Sequence, residues 1–521
     1  MKFIQTTVIR VFLGLLIFSL PATYSAQKSK KDNKKKADKI EIQVTNLRSG
    51  AILENGNLRG YFIYQAVDKV YGKQQNYHIE LYDENFTALN TLKYKAAMKM
   101  VLITSAYSSD ELCFMFLNTE NQSFDYKVFS VEGKLVSEYS SQLSKKDYRR
   151  YMKFVTAERL VSVEGGGFLS TSTVTEKSKI SFKVNKFVKG QKKPKEYVFP
   201  ADKKFNLPTI LGIADSTVVL SVRSSKSQLG PAKYHLIGLN QQSMKSKFHL
   251  NSDQDGENLF VPYSLIENPE YKTIRISGTY FKPNGNTMKY CKGLAMWEID
   301  PSGVLLSEKY NDWGTDFKNT LSFKGNGKLK KTGFLKVHET FSTSDGKTFA
   351  VTEGYRKRYN GWSILTSFFF MPSFLTKYQT TDMVLLEMDK DFKPQAGKVF
   401  PKKVTSWAGY GFTTMGVHAL SNKIPGMFGY SYAQLNEEKD AFMFTYAEDN
   451  FRLTAFKKSN FNFNTVKFEN GKYTTDKLTP TSNTWFGSLS NYYMQGQFGK
   501  ITYLTYDYKT KKSDLQIIKV K

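Results

Sequence analysis

Apolar and polar residues along this chain alternate in short runs with a period of two, and the runs come in pairs. An alternating run, a polar turn and a second run recur in "YHIELYDENFTALNTLKY" from Tyr77, "FDYKVFSVEGKLVSEY" from Phe124 and "YHLIGLNQQSMKSKF" from Tyr234. They return in "LAMWEIDPSGVLLSEKY" from Leu294, "MVLLEMDKDFKPQAGKVF" from Met383 and "ITYLTYDYKTKKSDLQIIK" from Ile501, with weaker copies from Ile180 and Phe451. A period of two sends successive side chains to opposite faces of a strand, so each stretch predicts a β-hairpin.

The predicted turns fall near Asp83, Glu132, Gly190, Asn240, Asp300, Asp389, Ser459 and Asp507, in steps of 48 to 89 residues. Most steps have room for four short strands, and a further strand pair precedes several hairpins, as in "MVLITSAYSSDELCFMFLN" and "SDGKTFAVTEGYRKR". Four strands at a period near fifty predict an all-β chain folded as a β-propeller of seven or eight blades. The alternative is two β-sandwich domains divided near residue 320, where "FKGNGKLKKTG" is polar and glycine-rich. "KIEIQV" from Lys39 and "LQIIKV" from Leu515 both alternate, so the termini are expected to pair in one blade and latch the ring. The 40 Phe and 32 Tyr supply bulky side chains to fill the space between blades.

The stretches "GTYFKPNGNTMKYCKGLAMWEIDPSGVLLSEKYND", "LKVHETFSTSDGKTFAVTEGY" and "DMVLLEMDKDFKPQAGKVFPKK" span Gly278 to Lys403. In this region the chain resembles uncharacterised exported β-propeller-like repeat proteins of Gram-negative bacteria, whose blades run strand, "DG", strand, "D-x-x-G", strand. The resemblance implies a fold and no activity, because its motifs are turn motifs.

The first residues set the expected location. Val11 to Leu20, "VFLGLLIFSL", follow Lys2 and Arg10 and precede small residues, which is the layout of a signal peptide over residues 1–26 with cleavage after Ser25 or Ala26. The apolar run is too short to span a bilayer, so no transmembrane span is expected. Cys113 and Cys291 are the only cysteines, so the exit from the leader offers no thiol for a lipid anchor. Residues 27–39 are lysine-rich and read as a disordered spacer ahead of a single domain over residues 40–521. A periplasmic or extracellular monomer is the expectation.

The formal net charge is +28, yet only 11 of the 75 basic residues are arginine, the residue that gives bidentate phosphate and base contacts. With export, this argues against nucleic acid and for an envelope protein or an anionic glycan or lipid surface as partner. Local chemistry is sparse: the five histidines lie at least fourteen residues apart, and no zinc or nucleophile motif is present. Asn251, Asp253 and Asp255 in "NSDQDGE" offer oxygen ligands at alternate positions and are the candidate calcium site; no other cofactor is expected. The most unusual segment is Tyr355 to Tyr378, in the longest step. There Arg356, Lys357 and Arg358 stand close to Trp362, Phe368, Phe369, Phe370 and Phe374, a basic and aromatic set suited to a membrane interface or a protein partner. The functional expectation is a non-catalytic exported binding or scaffold propeller of the bacterial cell envelope. The alternative is a propeller-fold hydrolase acting on glycans with paired carboxylates in the central funnel.

Overall fold

The computed structural model describes residues 48–520 except 55–56, 71–73, 98–99, 154–159, 164, 177–178, 190, 192, 201, 203, 228–229, 254–255, 267–272, 283–286, 288–289, 360–375, 409–416, 418–426, 449–461, 479–488 and 508–511. The described residues belong to one compact unit, Gln43–Lys521.

Strands that follow one another in sequence pair antiparallel, building one small sheet after another. The first sheet holds β1 (Arg48–Glu54), β2 (Asn57–Val70), β3 (Gln74–Tyr82) and β4 (Ala88–Ala97). The second holds β5 (Met100–Ser108), β6 (Glu111–Asn118), β7 (Ser123–Ser130) and β8 (Leu135–Gln142). A helix, Lys145–Lys153, precedes the third: β9 (Leu160–Ser162), β10 (Phe168–Glu176), β11 (Lys179–Phe187) and β12 (Lys195–Val198). The fourth, β13 (Phe205–Ala214), β14 (Thr217–Ser225), β15 (Ala232–Asn240) and β16 (Ser246–Asn251), meets the third through a single parallel bridge between Ile180 and Phe205. The fifth consists of β17 (Leu259–Ile266), β18 (Ile274–Phe281), β19 (Gly293–Ile299) and β20 (Leu305–Asp312). In the sixth, β21 (Phe334–Ser342), β22 (Thr348–Tyr359), β23 (Thr376–Met388) and β24 (Pro394–Phe400) are joined by β25 (Thr405–Ala408), which pairs with β23. The seventh is β26 (Tyr430–Leu435), β27 (Phe442–Glu448), β28 (Asn462–Glu469) and β29 (Lys472–Leu478). The eighth is β30 (Leu489–Gln495), β31 (Lys500–Asp507) and β32 (Lys512–Lys519).

The middle strands show why these sheets stack. Every residue of β6 is buried, because Leu112, Phe114 and Phe116 pack against the first sheet while Cys113, Met115 and Leu117 pack against the third. A strand covered on both faces reads as a continuous apolar run, and β14 and β19 repeat the pattern. The fourth strands β8, β16 and β29 are mostly exposed, as expected at an outer edge. Apolar clusters join each sheet to the next around the whole series, and the last meets the first, where Leu58, Tyr61 and Ile63 of β2 pack with Met494, Leu504 and Leu515. Thr502 Oγ1 donates to Tyr61 Oη at 2.6 Å across that junction. The innermost strands β30, β1, β5 and β9 lie side by side, as do β13, β17 and β21. The fold is a β-propeller of eight blades, closed by side-chain packing.

The turns repeat as well. Asp83, Asp300 and Asp389 each accept two backbone N–H bonds from the residues two and four positions on, at 2.7–2.9 Å. The expected turn near Ser459 lies outside the described residues; beyond it β28 pairs with β27 and β29, and its hairpin with β29 turns at Asn470 and Gly471, whose φ of 52° and 72° suit a two-residue turn. The sandwich alternative is corrected. The stretch near residue 320 is no linker, because Trp313, Phe317, Phe323 and Leu329 are buried where the fifth and sixth blades meet. Cys113 and Cys291 are both free and buried. "KIEIQV" lies outside the described residues, and among those described β32 pairs with β31 alone.

Two results are expected. Phe114→Ala should cost about 3 to 5 kcal/mol in chemical denaturation, since the ring leaves a cavity between two blades. Deleting residues 514–521 removes Leu515 from the closing interface and Val520 from the junction of the last two blades. A truncated protein with an unchanged Tm would contradict closure of the ring at that place.

Candidate functional site

In the sixth blade both middle strands are long, β22 with 12 residues and β23 with 13. β22 and β23 pair regularly from Thr348 with Met388 to Glu353 with Met383; a register shift follows, and the ladder resumes from Tyr355 with Thr380 to Tyr359 with Thr376. The irregularity has a local cause. Thr381 and Asp382 are looped out and bonded to Thr332, whose carbonyl accepts from Thr381 Oγ1 at 2.6 Å and whose Oγ1 donates to Asp382 Oδ2 at 2.7 Å. Gly354 lies against this knot, and a Cβ there would come within 2.3 Å of Thr332 Cγ2 and of Thr381 Oγ1. Beyond it the two strands carry on past the blade, with β25 paired to β23 from Lys377 to Thr380.

The two faces of this extension differ. On one, Tyr355 and Tyr378 are buried with Val417, Met427 and Phe428, and Lys357 Nζ lies 5.7 Å from the Tyr378 ring centre. On the other are Arg356, Arg358, Lys377 and Gln379, of which Arg358 and Lys377 stand directly opposite each other. Like charges at opposed positions of a ladder repel, at a cost of roughly 0.2–1 kcal/mol. Arg356 Nε donates to the Thr332 carbonyl at 3.3 Å.

At the base of the extension, toward the seventh blade, lies a polar centre. Glu353 is fully buried; its carboxylate forms an ion pair with the equally buried Lys402 and accepts from the N–H groups of Gly429 at 2.9 Å and Tyr430 at 3.2 Å. His338 Nε2 is 3.4 Å from Glu353 Oε2, a close approach without hydrogen-bond alignment, and its ring stacks on Tyr430 at 4.8 Å. Tyr430 Oη donates to Glu339. Burial alone would push the Glu353 carboxyl up, but Lys402 and His338 more than offset this and hold it below its ordinary range. Burial, reinforced by Lys336, pushes His338 down to about 4, and burial pushes Lys336 down to about 8. A carboxylate held ionised by a buried lysine is a poor general acid, so the centre's evident work is to fix the extension to the next blade.

Sequence reasoning singled out Arg356, Lys357 and Arg358, which lie on the extended part of β22, and passed over Glu353, Lys402, His338 and Tyr430, which come together from positions far apart in the chain. Trp362, Phe368, Phe369, Phe370 and Phe374 lie outside the described residues, as does Asp255. Asn251 Oδ1 is 2.9 Å from His235 Nδ1, and Asp253 forms an ion pair with Lys233 at 2.6 Å. His249 Nε2 lies 3.2 Å from His235 Nδ1, a proximity that their separation in sequence concealed. Among the described residues no three His, Cys, Asp or Glu converge as a metal site would require.

A family described as "Family of unknown function (DUF6770)" matches the chain over residues 10–521. A comparison with curated protein sequences finds no match. Among solved structures, prolyl oligopeptidase B from Galerina marginata is 9% identical with a TM-score of 0.41, covering 91% of this chain and 57% of that one. The chain thus spans a little over half of that peptidase's length. The β-propeller domain of the Trilobed protease from Pyrococcus furiosus is 10% identical with a TM-score of 0.36, covering 81% of this chain and 98% of that one. The WD40 domain of SCAP from fission yeast is 7% identical with a TM-score of 0.36, covering 92% and 98%.

Lys402→Met alone should cost about 3 to 5 kcal/mol because it strands a buried carboxylate, whereas the double change Glu353→Gln with Lys402→Met should recover most of the loss. Denaturant titration of the three proteins checks this. Acid should also weaken the fold. The folded pKa of His338 lies below its unfolded value, so the unfolded state takes up the proton first as the pH falls from about 6.5 to about 4. His338→Phe should flatten the stability profile across that window.

Proposed function

The chain belongs to this family of unknown function, and from that premise we propose that it is a non-catalytic, exported binding propeller of the bacterial cell envelope that docks on an anionic glycan or lipid surface. The observation that carries the reading is the extension of β22 and β23, where Arg358 and Lys377 face each other with Arg356 beside them and, among the described residues, have no carboxylate partner. An uncompensated cluster of this kind is relieved when phosphate, sulfate or carboxylate oxygens bridge it. The net charge of +28 adds a field that draws the whole body toward an anionic surface. Between the two paired strands the chain carries Trp362, Phe368, Phe369, Phe370 and Phe374, assigned here to the same contact as its apolar component. The carboxylates at the base of the extension, Glu353 and Glu339, are engaged by Lys402 and Tyr430, which favours binding over glycan hydrolysis at this place. Removal of residues 1–26 on export, and a calcium ion at Asn251, Asp253 and Asp255, belong to the same proposal.

The test compares the mature protein with an Arg358→Glu, Lys377→Glu variant in sedimentation with phosphatidylglycerol or phosphatidylcholine vesicles, and on dextran sulfate against neutral dextran. Wild type should bind at least one anionic probe and neither neutral one, with binding that weakens as salt rises past about 0.15 M. The variant, which keeps its Tm, should bind that probe about tenfold more weakly. Equal binding by both proteins, or binding indifferent to salt, would contradict the reading.

A further inference from the structure

The outer hairpin of the fourth blade gathers three ligating atoms at the protein surface. In the ladder of β15 and β16, Asn251 stands opposite His235, and His249 stands opposite Ile237. Residues two apart on a strand share a face, so His235, His249 and Asn251 all project from the same side of the hairpin. There His235 Nδ1 lies 2.9 Å from Asn251 Oδ1 and 3.2 Å from His249 Nε2. His249 and Asn251 are exposed and His235 is half-buried, so a solute can reach the group from the rim of the blade. Phe199, which follows β12 at the end of the third blade, stands edge-on to the His249 ring at 6.1 Å and flanks that imidazole.

We infer that His235, His249 and Asn251 hold a divalent transition-metal ion of the class of Zn2+, Ni2+ and Cu2+. The separations are those of neighbouring ligands on one ion: bonds of about 2.0–2.1 Å meeting at a right or tetrahedral angle put two donor atoms about 2.8–3.4 Å apart. Imidazole nitrogen selects ions of this class over calcium and magnesium, which take oxygen ligands. Both rings are in the ligating form, because burial lowers their pKa below the ordinary histidine value and leaves them neutral at neutral pH. Local charge also admits a cation, since Lys233 is matched by Asp253 at 2.6 Å and Lys204 by Asp202 at 3.8 Å. A proton on His235 Nδ1 points well at only one of its two neighbours, whereas a cation takes up the lone pairs of all three atoms. A closed structural site would need further protein ligands, and among the described residues no third His, Cys, Asp or Glu joins the two rings. Water therefore completes the shell, and the ion exchanges with the surroundings. Asn251 also belongs to the proposed calcium ligands and serves one ion at a time. The metal site lies on a different blade from the basic extension and takes a ligand of the opposite charge.

The experiment is calorimetric titration of the untagged mature protein with zinc chloride, with calcium chloride as the comparison. Wild type should take up one zinc ion in the micromolar range, and its Tm should rise with zinc because the ion binds only the folded chain. His249→Ala, a change at an exposed position, should weaken zinc binding at least tenfold and abolish that rise while leaving the Tm of the metal-free protein unchanged. His235→Gln should do the same to zinc affinity; should it fail to fold, His249→Ala carries the test alone. Heat from calcium, which would report the oxygen ligands, should not depend on His249. One equivalent of Cu2+ should give an electron paramagnetic resonance spectrum with hyperfine structure from two nitrogens in wild type and from one in His249→Ala. The Arg358→Glu, Lys377→Glu variant should bind zinc as wild type does, which separates failure of this site from failure of the docking surface. No zinc bound at about 1 mM, full zinc affinity in His249→Ala, or a copper spectrum without paired nitrogens would overturn the inference and leave the two rings as a neutral hydrogen-bonded pair.

Discussion

Everything in this protein depends on covering both faces of each small sheet. A four-stranded sheet with apolar residues on one side needs one partner, but strands such as β6, whose alternate side chains are apolar on both sides, need two. A row of such sheets leaves one uncovered face at each end. Bending the row into a ring lets the first and last cover each other, and Tyr61, Ile63, Leu504 and Leu515 do so. Phe and Tyr are abundant because a flat ring fills the gap between two twisted sheets without requiring a close match of shape.

Glu353 would be costly to bury alone, and Lys402, His338 and two backbone N–H groups together keep it ionised between the sixth and seventh blades. Its position explains its value: directly beyond it the middle strands of the sixth blade leave the sheet, and the centre ties their base to the neighbouring blade. Between the second and third blades the buried Asn185 carbonyl, by contrast, has no hydrogen-bond partner.

Much of the fold was legible in the chain because strand alternation and turn chemistry are local. Asp83, Asp300 and Asp389 mark their hairpins by accepting backbone N–H bonds within four residues. In the seventh blade the turn at Asn470 and Gly471 was present in the sequence as a strong local signal and was passed over in favour of the alternating run from Phe451. The longest step, ahead of Asp389, has two origins, only one of them visible beforehand: the basic and aromatic stretch stood out by composition. The Trp313 to Leu329 wedge did not, since its polar surface residues hide the aromatic side chains that anchor it. Glu353, Lys402 and His338 gave no signal at all, for they meet only through tertiary packing.

The most direct test of the central claim, that the eight blades form one ring closed by packing, is native-state hydrogen exchange read strand by strand under increasing denaturant. A closed ring predicts that the amides of β2 in the first blade and β31 in the last exchange through the same global opening as those of β14 and β18 near the middle, with equal free energies. If β2 and β31 open well before the central blades, the row has free ends, and closure by Tyr61, Ile63, Leu504 and Leu515 is contradicted.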